Sequence, residues 1–274
     1  MHLSALYRFP LKSAMGESLP SLQLDGLGVA GDRRWMFADA ETGRFMTQRT
    51  FPHMSQLKAR WNASGGLSLE APGMPVLQVA LPDPEQALRG VIIWRDTLRV
   101  PDAGDEAAAW GSQFLGKACR LVHVPAERAR YIEGNLNDDE KVGFADGFPL
   151  LLIGQASLDD LVARVGRPLE MLRFRPNLVV QGSEPYAEDN WTRIRVGGVE
   201  FTLAKRCSRC VITTIDPQTG ERSADREPLT TLRTYRQGEG GILFGQNLIN
   251  HGSGELQVGI CLLYTSDAAD EGLG

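Results

Sequence analysis

The sequence predicts a mixed α/β fold in which β-strands dominate. Short runs of β-branched and aromatic residues recur throughout the chain, and Gly, Pro and Asp separate them at the spacing of hairpins. Only a few segments repeat apolar residues at helical spacing. The 274 residues are 42% hydrophobic and 23% charged, which is enough apolar material for one large domain or two closely packed ones.

The N-terminal half is predicted to consist of short strands and one helix. A strand over residues 3–9 ends at Pro10, and a turn at Gly31-Asp32 leads into a strand over 36–38. Residues 45–49 are expected to form the return arm of a hairpin. Alanine-rich residues 106–115 predict a helix that ends at Gly116. The remaining predicted strands are 56–61, 67–69, 76–80, 91–94, 98–100 and 119–124.

The C-terminal half begins after a polar segment, residues 125–147, which is expected to be a long loop. A helix should follow a buried strand at 148–153, with Ser157 as its N-cap and Gly166 at its end. Strand 193–196 is predicted to pair with strand 199–203 through Gly197-Gly198, and Pro228 is expected to begin another helix. Further strands are predicted at 178–181, 242–249 and 256–260.

Two cysteines at i and i+3, Cys207 and Cys210, lie in the segment richest in chemistry. They follow Lys205 and Arg206, and nearby positive charge favours the thiolate. Predicted strands at 199–204 and 211–215 place the thiols at a strand connection. The spacing alone leaves several interpretations open: half of a zinc site, a redox dithiol, an iron–sulfur ligand pair, a single ligand cysteine or two structural thiols.

Cationic and amide side chains recur at predicted strand ends elsewhere in the chain. Lys12 and Ser13 follow the first strand, Arg33 and Arg49 lie in later turns, and the segment 173–177 supplies two arginines and an asparagine. Arginine binds phosphate through two parallel hydrogen bonds, and lysine supplies a point charge. Together these residues suggest an anion cage, although each taken singly is compatible with an ordinary surface charge.

Composition excludes several classes of protein. The formal net charge of −5 argues against a general nucleic-acid binder. The sequence contains no run of 18 apolar residues, so it predicts no membrane-spanning helix. The N-terminus also lacks the apolar core of a signal peptide. We therefore expect a soluble, cytoplasmic protein, and its four cysteines suit a reducing compartment.

Several segments resemble the MOSC family, which is named for the C-terminal domain of molybdenum cofactor sulfurase. The similarity runs from about Leu3 to Gly259 and is greatest to the amidoxime-reducing branch of the family. The segments that carry it are LYRFPLKSAMGESL, GDRRWMFAD, RFRPNLVV, PYAEDNW, KRCSRCVITTIDPQTGE, REPLTTLRTYR and LFGQN.

The resemblance implies a β-rich N-terminal domain over residues 1–124 and a MOSC β-barrel domain with packed helices over 125–262. Residues 263–274, where the sequence changes character abruptly, are interpreted as a non-native tail. Between the two domains the family holds the molybdenum cofactor, with Cys210 as the metal ligand and catalytic residue; Cys207 is not expected to be a ligand. The matching cofactor contacts are Lys12, Ser13, Arg33, Arg175, Asn177, Ser208 and Arg209, to which Arg49 is added for its charge and its hairpin position.

The activity that the resemblance implies is molybdenum-dependent reduction of N-hydroxylated compounds, such as amidoximes, to amidines or amines. No further cysteine cluster for an iron–sulfur centre follows Gly259 in this sequence. Electrons are therefore expected from a separate flavin- or ferredoxin-type protein, unless a C-terminal ferredoxin domain of the natural chain has been cut off. Two alternatives stay open. The first is a MOSC-type sulfur carrier or cofactor-handling protein, and the second is a non-enzymatic binding module with a structural cysteine pair.

Overall fold

The computed structural model describes residues 1–85, 87–132 and 140–265, and β-strands dominate it, as predicted. The α-helices of these residues are α1 (Asp105–Leu115), α2 (Gln155–Val165) and α3 (Leu229–Arg236). The strands are β1 (His2–Arg8), β2 (Glu17–Ser18), β3 (Ser21–Asp25), β4 (Gly28–Val29), β5 (Trp35–Asp39), β6 (Lys58–Trp61), β7 (Leu67–Glu70), β8 (Leu77–Val79), β9 (Leu88–Ile93), β10 (Asp96–Pro101), β11 (Cys119–His123), β12 (Arg130–Tyr131), β13 (Lys141–Val142), β14 (Leu150–Gly154), β15 (Leu178–Gln181), β16 (Arg193–Val196), β17 (Val199–Arg209), β18 (Gln237–Gly238), β19 (Gly241–His251), β20 (Gly254–Gln257) and β21 (Leu262–Thr265).

A large mixed sheet forms the centre of the molecule. Its strands follow the order β2, β1, β15, β14, β19, β17, β16, β21, and β18 also pairs with β19. The pair β14 and β15 is parallel, and α2 makes the connection between the two strands. The first strand of the chain, β1, pairs with β15, so N-terminal residues are built into the sheet of the C-terminal half.

The N-terminal half surrounds a core of its own. Trp35 and Phe37 on β5 and Met54 are fully buried there, and Trp110 of α1 packs against the same cluster. α1 spans the predicted helix and ends at Gly116, whose left-handed φ of 66° favours glycine. Burying an aromatic side chain contributes about 2–3 kcal/mol, so this cluster holds the small sheets together.

The prediction that Ser157 caps α2 is wrong. The helix begins at Gln155, three residues earlier than a cap at Ser157 would place it, and has no side-chain cap. Ser157 is fully buried, and its hydroxyl donates to Oε1 of Glu188 at 2.8 Å while accepting from the backbone N–H of Tyr186. The Ser157 hydroxyl bonds to Glu188 and does not cap the helix, because a buried carboxylate without a hydrogen-bond donor would cost free energy.

The cysteine pair does not lie at a connection between two strands. β17 continues past the predicted end at 204 to Arg209, because β19 pairs with it along its length, so Cys207 lies within a strand. Residues Val211–Thr214 form a 3₁₀-helix instead of the predicted strand. The hydroxyls of Thr213 and Thr214 donate back to the carbonyls of Cys210 and Val211, which stabilises this tight turn.

Two further segments depart from their predicted structure, residues 45–49 and the interpreted tail from residue 263. The return arm predicted at 45–49 is observed only at its start: Phe45 bridges to Ala38 of β5 and the N–H of Met46 donates to the carbonyl of Phe37, and a turn follows. The interpreted tail starts inside β21, which pairs with β16, and residues 266–274 lie outside the described residues. The division at residue 124 and the non-native origin of the tail stay predictions.

Candidate functional site

All nine residues predicted to contact a cofactor line one cleft, which has a volume of about 800 Å³ including its open mouth. They come from the turn after β1, the turns on either side of β5, the segment before β15 and the end of β17. They are Lys12, Ser13, Arg33, Arg49, Arg175, Asn177, Ser208, Arg209 and Cys210.

Lys12 is buried in the wall of the cleft. Its ammonium group donates to the carbonyl of Phe144 at 2.7 Å and to Oδ1 of Asp146 at 2.5 Å. Burial lowers the pKa of Lys12 to about 8, with a further lowering from Arg33, although the Asp146 carboxylate works in the opposite direction. An ammonium has three donors, so one N–H remains for a ligand.

Asp146 is a cleft residue that the sequence reasoning missed. Its side chain lies between Lys12 and Arg49, with 3.8 Å from Oδ2 to Nη2 of Arg49. Desolvation opposes ionisation of this carboxyl, but Lys12 and the neighbouring arginines outweigh it and lower the pKa to about 2. The sequence predicts that the segment 125–147 is a long loop that is mobile or covers a site, but it does not single out Asp146, an acidic residue shortly before the buried strand.

Arg33 and Arg175 stand over the same aromatic ring. The Cζ atoms of both guanidinium groups lie 4.3 Å from the centroid of Phe9. Arg33 also donates to the carbonyl of Arg175 at 2.9 Å. Burial, followed by the charge of Arg33, lowers the pKa of Arg175 to about 9. The two arginines are therefore fixed side by side despite their like charge.

Asn177 is fully buried and uses its side chain within the protein. Its oxygen accepts from Arg33 at 3.0 Å and from the backbone N–H of Leu151, and its amide nitrogen donates to the carbonyl of Tyr7. Its contribution to the cleft is therefore to hold Arg33 in place.

Cys210 lies at the end of β17, where the chain turns into the 3₁₀-helix. Nη2 of Arg49 donates to its sulfur at 3.4 Å. The other cleft thiol, Cys207, accepts from Nη1 of Arg209 at 3.0 Å. Each of the two sulfurs thus has its own arginine, and both sulfurs line the cleft.

Ser208 and Arg209 separate the two cysteines. The Ser208 hydroxyl donates to the carbonyl of Gly240 at 2.8 Å, which fixes the end of β17 beside the turn before β19. Nη2 of Arg209 donates to the carbonyl of Phe174. Nε of Arg209 is buried and has no hydrogen-bond partner among the described residues.

The charge of the cleft favours an anion. Among the described residues that line it, five side chains are cationic and one, Asp146, is acidic. No group of three His, Cys, Asp or Glu side chains in residues 1–85, 87–132 and 140–265 could hold a metal ion. The zinc interpretation of the cysteine pair therefore has no ligand set in that part of the chain.

Comparison with known proteins gives two family matches. A model described as the MOSC N-terminal beta barrel domain matches residues 1–118, and the MOSC domain model matches residues 139–260. The chain belongs to the MOSC family. The resemblance inferred from the motifs is thereby confirmed.

Curated MOSC relatives cover most of the chain. Mitochondrial amidoxime-reducing component 1 of Homo sapiens is 30% identical over 94% of this chain and 81% of its own length. The Mus musculus protein of the same name is 31% identical over 85% of this chain and 71% of its own length. Molybdenum cofactor sulfurase of Oryza sativa is 31% identical over 89% of this chain, which spans about a third of that protein (32%). None of the helices in the described residues is long and apolar enough to cross a membrane.

Proposed function

We propose that the cleft binds a molybdenum cofactor, in which a molybdopterin carries the metal, and that Cys210 supplies the protein ligand. The observation that supports this best is that nine residues from distant parts of the chain line one cleft. A soft thiolate suits a metal already held by the sulfurs of the pterin, and a cage of cations suits its phosphate.

The polar groups of the cleft fit such an anionic ligand. Lys12 and Arg175 carry their charge in a partly desolvated place, because burial is the main cause that lowers the pKa of each. Nε of Arg209 lacks a partner. A phosphate would offset the desolvation of these cations and accept from the free donors. Arg33, held by Asn177, and the Ser13 hydroxyl complete the proposed contacts.

The bound cofactor would supply two-electron redox chemistry, which converts an amidoxime or N-hydroxylated base to the amidine or amine and water with two protons. The chain's own residues would bind and orient the reactants. Phe148, Leu150 and Ile212 give the cleft apolar wall surface, which excludes water from part of it. Arg49 holds the Cys210 sulfur. The relatives named amidoxime-reducing component support this substrate class.

The electrons are proposed to come from a separate flavin- or ferredoxin-type protein. An iron–sulfur cluster of the common kind takes four cysteine ligands. Of the four cysteines of this chain, two lie in the cleft, Cys119 is buried in the N-terminal core, and Cys261 is exposed. No three of these thiols lie together in the described part of the chain.

The activity is tested with protein expressed in a host that makes molybdopterin. Reduced methyl viologen serves as the donor, so the natural partner is not needed, and formation of the amidine from an aromatic amidoxime is measured. We expect turnover by the parent protein and by Cys261→Ser, whose exposed cysteine lies outside the cleft, and none by Cys210→Ser. Molybdenum-loaded parent protein that reduces no N-hydroxylated compound would overturn the reductase proposal.

A second candidate function is sulfur transfer, because Cys207 places another thiol in the cleft with an arginine donor at 3.0 Å. A sulfur carrier would accumulate a persulfide on Cys210 when supplied with a cysteine desulfurase and cysteine. Mass spectrometry of the cofactor-free protein distinguishes the two functions. A persulfide on Cys210 that passes to an acceptor, together with no amidoxime reduction, would favour the carrier.

A further inference from the structure

Arg49 is the cleft arginine that donates to the sulfur of Cys210, whereas Arg209 donates to that of Cys207. Arg33 and Arg175 stand over Phe9, whereas Nη2 of Arg49 lies 3.4 Å from the sulfur of Cys210. A guanidinium N–H aimed at a ligand sulfur acts on the metal and not on a phosphate, because a hydrogen bond draws electron density from the sulfur.

The guanidinium of Arg49 is held in place by a residue outside the predicted site. Its Cζ lies 4.9 Å from the ring centroid of Trp94, and Trp94 in turn packs on Phe45, with 4.9 Å between ring centroids. Asp146 lies on another side of Arg49, at 3.8 Å. An arginine that stacks on an aromatic face loses rotational freedom, so its N–H groups keep one direction.

The backbone at Trp94 supports a functional reason for this contact. Trp94 is the first residue of the two-residue connection between β9 and β10, and its φ is 55°. The left-handed region favours Gly or Asn, and a bulky residue there is an outlier that points to a role for its side chain. Trp94 is also 40% exposed, so burial in the core does not account for it.

We propose that Trp94 is a positioning residue that holds Arg49 on the Cys210 sulfur, and that this hydrogen bond sets the reduction potential of the metal bound there. This inference rests on the proposed function, since it needs molybdenum on Cys210. A positive charge and an N–H beside the sulfur stabilise the more negative, reduced centre over the oxidised one. Their removal should lower the midpoint potential of the metal.

The variants separate the donor from the residue that positions it. Arg49→Gln removes the charge and the guanidinium, and Trp94→Leu removes the ring but keeps Arg49. Trp94→Phe keeps an aromatic face as the conservative substitution. Trp61→Leu is the matched control, because Trp61 stacks on Arg8 with 4.7 Å to the ring centroid and neither residue lines the cleft.

The readout is the midpoint potential of bound molybdenum, followed by electron paramagnetic resonance in a redox titration. It is measured on the bound metal and so does not depend on occupancy or turnover. We expect Arg49→Gln and Trp94→Leu to lower the equilibrium constant for reduction about tenfold, or about 59 mV for a one-electron step. Trp94→Phe should lie nearer the parent protein, and Trp61→Leu should match it.

Two results would contradict this inference, and a third would contradict the proposed function on which it rests. If Arg49→Gln keeps the potential of the parent, Arg49 does not act on the metal through Cys210 and the inference is wrong. If Arg49→Gln lowers the potential but Trp94→Leu does not, Trp94 is not the positioning residue. If the parent protein binds no molybdenum in a competent host, the proposed function itself fails, and this inference fails with it.

Discussion

The side-chain oxygen of Asn177 accepts a hydrogen bond from Nη1 of Arg33 at 3.0 Å, deep between β1 and β14. The same oxygen accepts from the backbone N–H of Leu151, and the amide nitrogen donates to the carbonyl of Tyr7. One buried side chain therefore links two strands of the sheet and fixes a cation of the cleft. Cleft geometry and fold stability are coupled at this residue.

Replacing Asn177 should lower stability as well as disturb the cleft. In Asn177→Ala the buried N–H of Leu151 and one N–H of Arg33 lose their acceptor, at a cost of about 1–3 kcal/mol. Urea unfolding of cofactor-free protein measures this loss. Asn250→Ala is the control, because Asn250 is only partly buried and donates to the carbonyls of Asp25, at the end of β3, and of Gly252, so its loss should be smaller. Equal stability of Asn177→Ala and the parent would contradict the prediction.

Arg175→Ala should weaken retention of the cofactor. The substitution removes one of five cationic side chains of the cleft, one that already stands in a fixed position over Phe9. Charged hydrogen bonds are worth about 1.5–3 kcal/mol, so we expect roughly a tenfold or greater loss of affinity. Molybdenum and pterin are measured after identical purification. Arg167→Ala, at an exposed ion pair with Asp225, is the control, and equal occupancy in Arg175→Ala would argue against a phosphate cage.

Stability should rise with pH above 8 through Lys12. Its pKa is about 8 in the folded protein, because burial lowers it from 10.5. Between these values the unfolded chain holds the proton that the folded protein has lost, so the free energy of unfolding increases with pH. The contribution is at most about 3 kcal/mol. Urea unfolding of cofactor-free parent protein and of Lys12→Gln is compared from pH 8 to 10.5, and the stability of the parent relative to the variant should increase over this range, because other groups such as Arg175 titrate in both proteins. Parallel curves would contradict the prediction.

The sequence predicts correctly those elements that are determined by residues adjacent to them in the chain. The helix ending at Gly116 and the hairpin through Gly197-Gly198 are observed, because a left-handed glycine and a two-glycine turn act over a few positions. The MOSC motifs supplied residues that lie far apart in sequence, and the structure brings all of them to one cleft.

Long-range contacts explain what the sequence reasoning missed. β17 reaches Arg209 because β19 pairs with it, through contacts such as Ser208 with Leu243, and no local signal encodes that partner. Ser157 looks like a helix cap until the buried carboxylate of Glu188 is seen beside it. Asp146 contacts Lys12, and Trp94 contacts Arg49, only because the fold brings separate segments of the chain together.

The most direct test of the central proposal is the molybdenum content of the protein after expression in a host that makes molybdopterin, with zinc and iron measured alongside. We predict close to one molybdenum per chain in the parent protein, nearly all of it lost in Cys210→Ser and most of it kept in Cys207→Ser. Molybdenum in Cys210→Ser equal to that of the parent would contradict the assignment of Cys210 as the ligand. Zinc or no metal in the parent protein would contradict the assignment of the cleft as a molybdenum cofactor site.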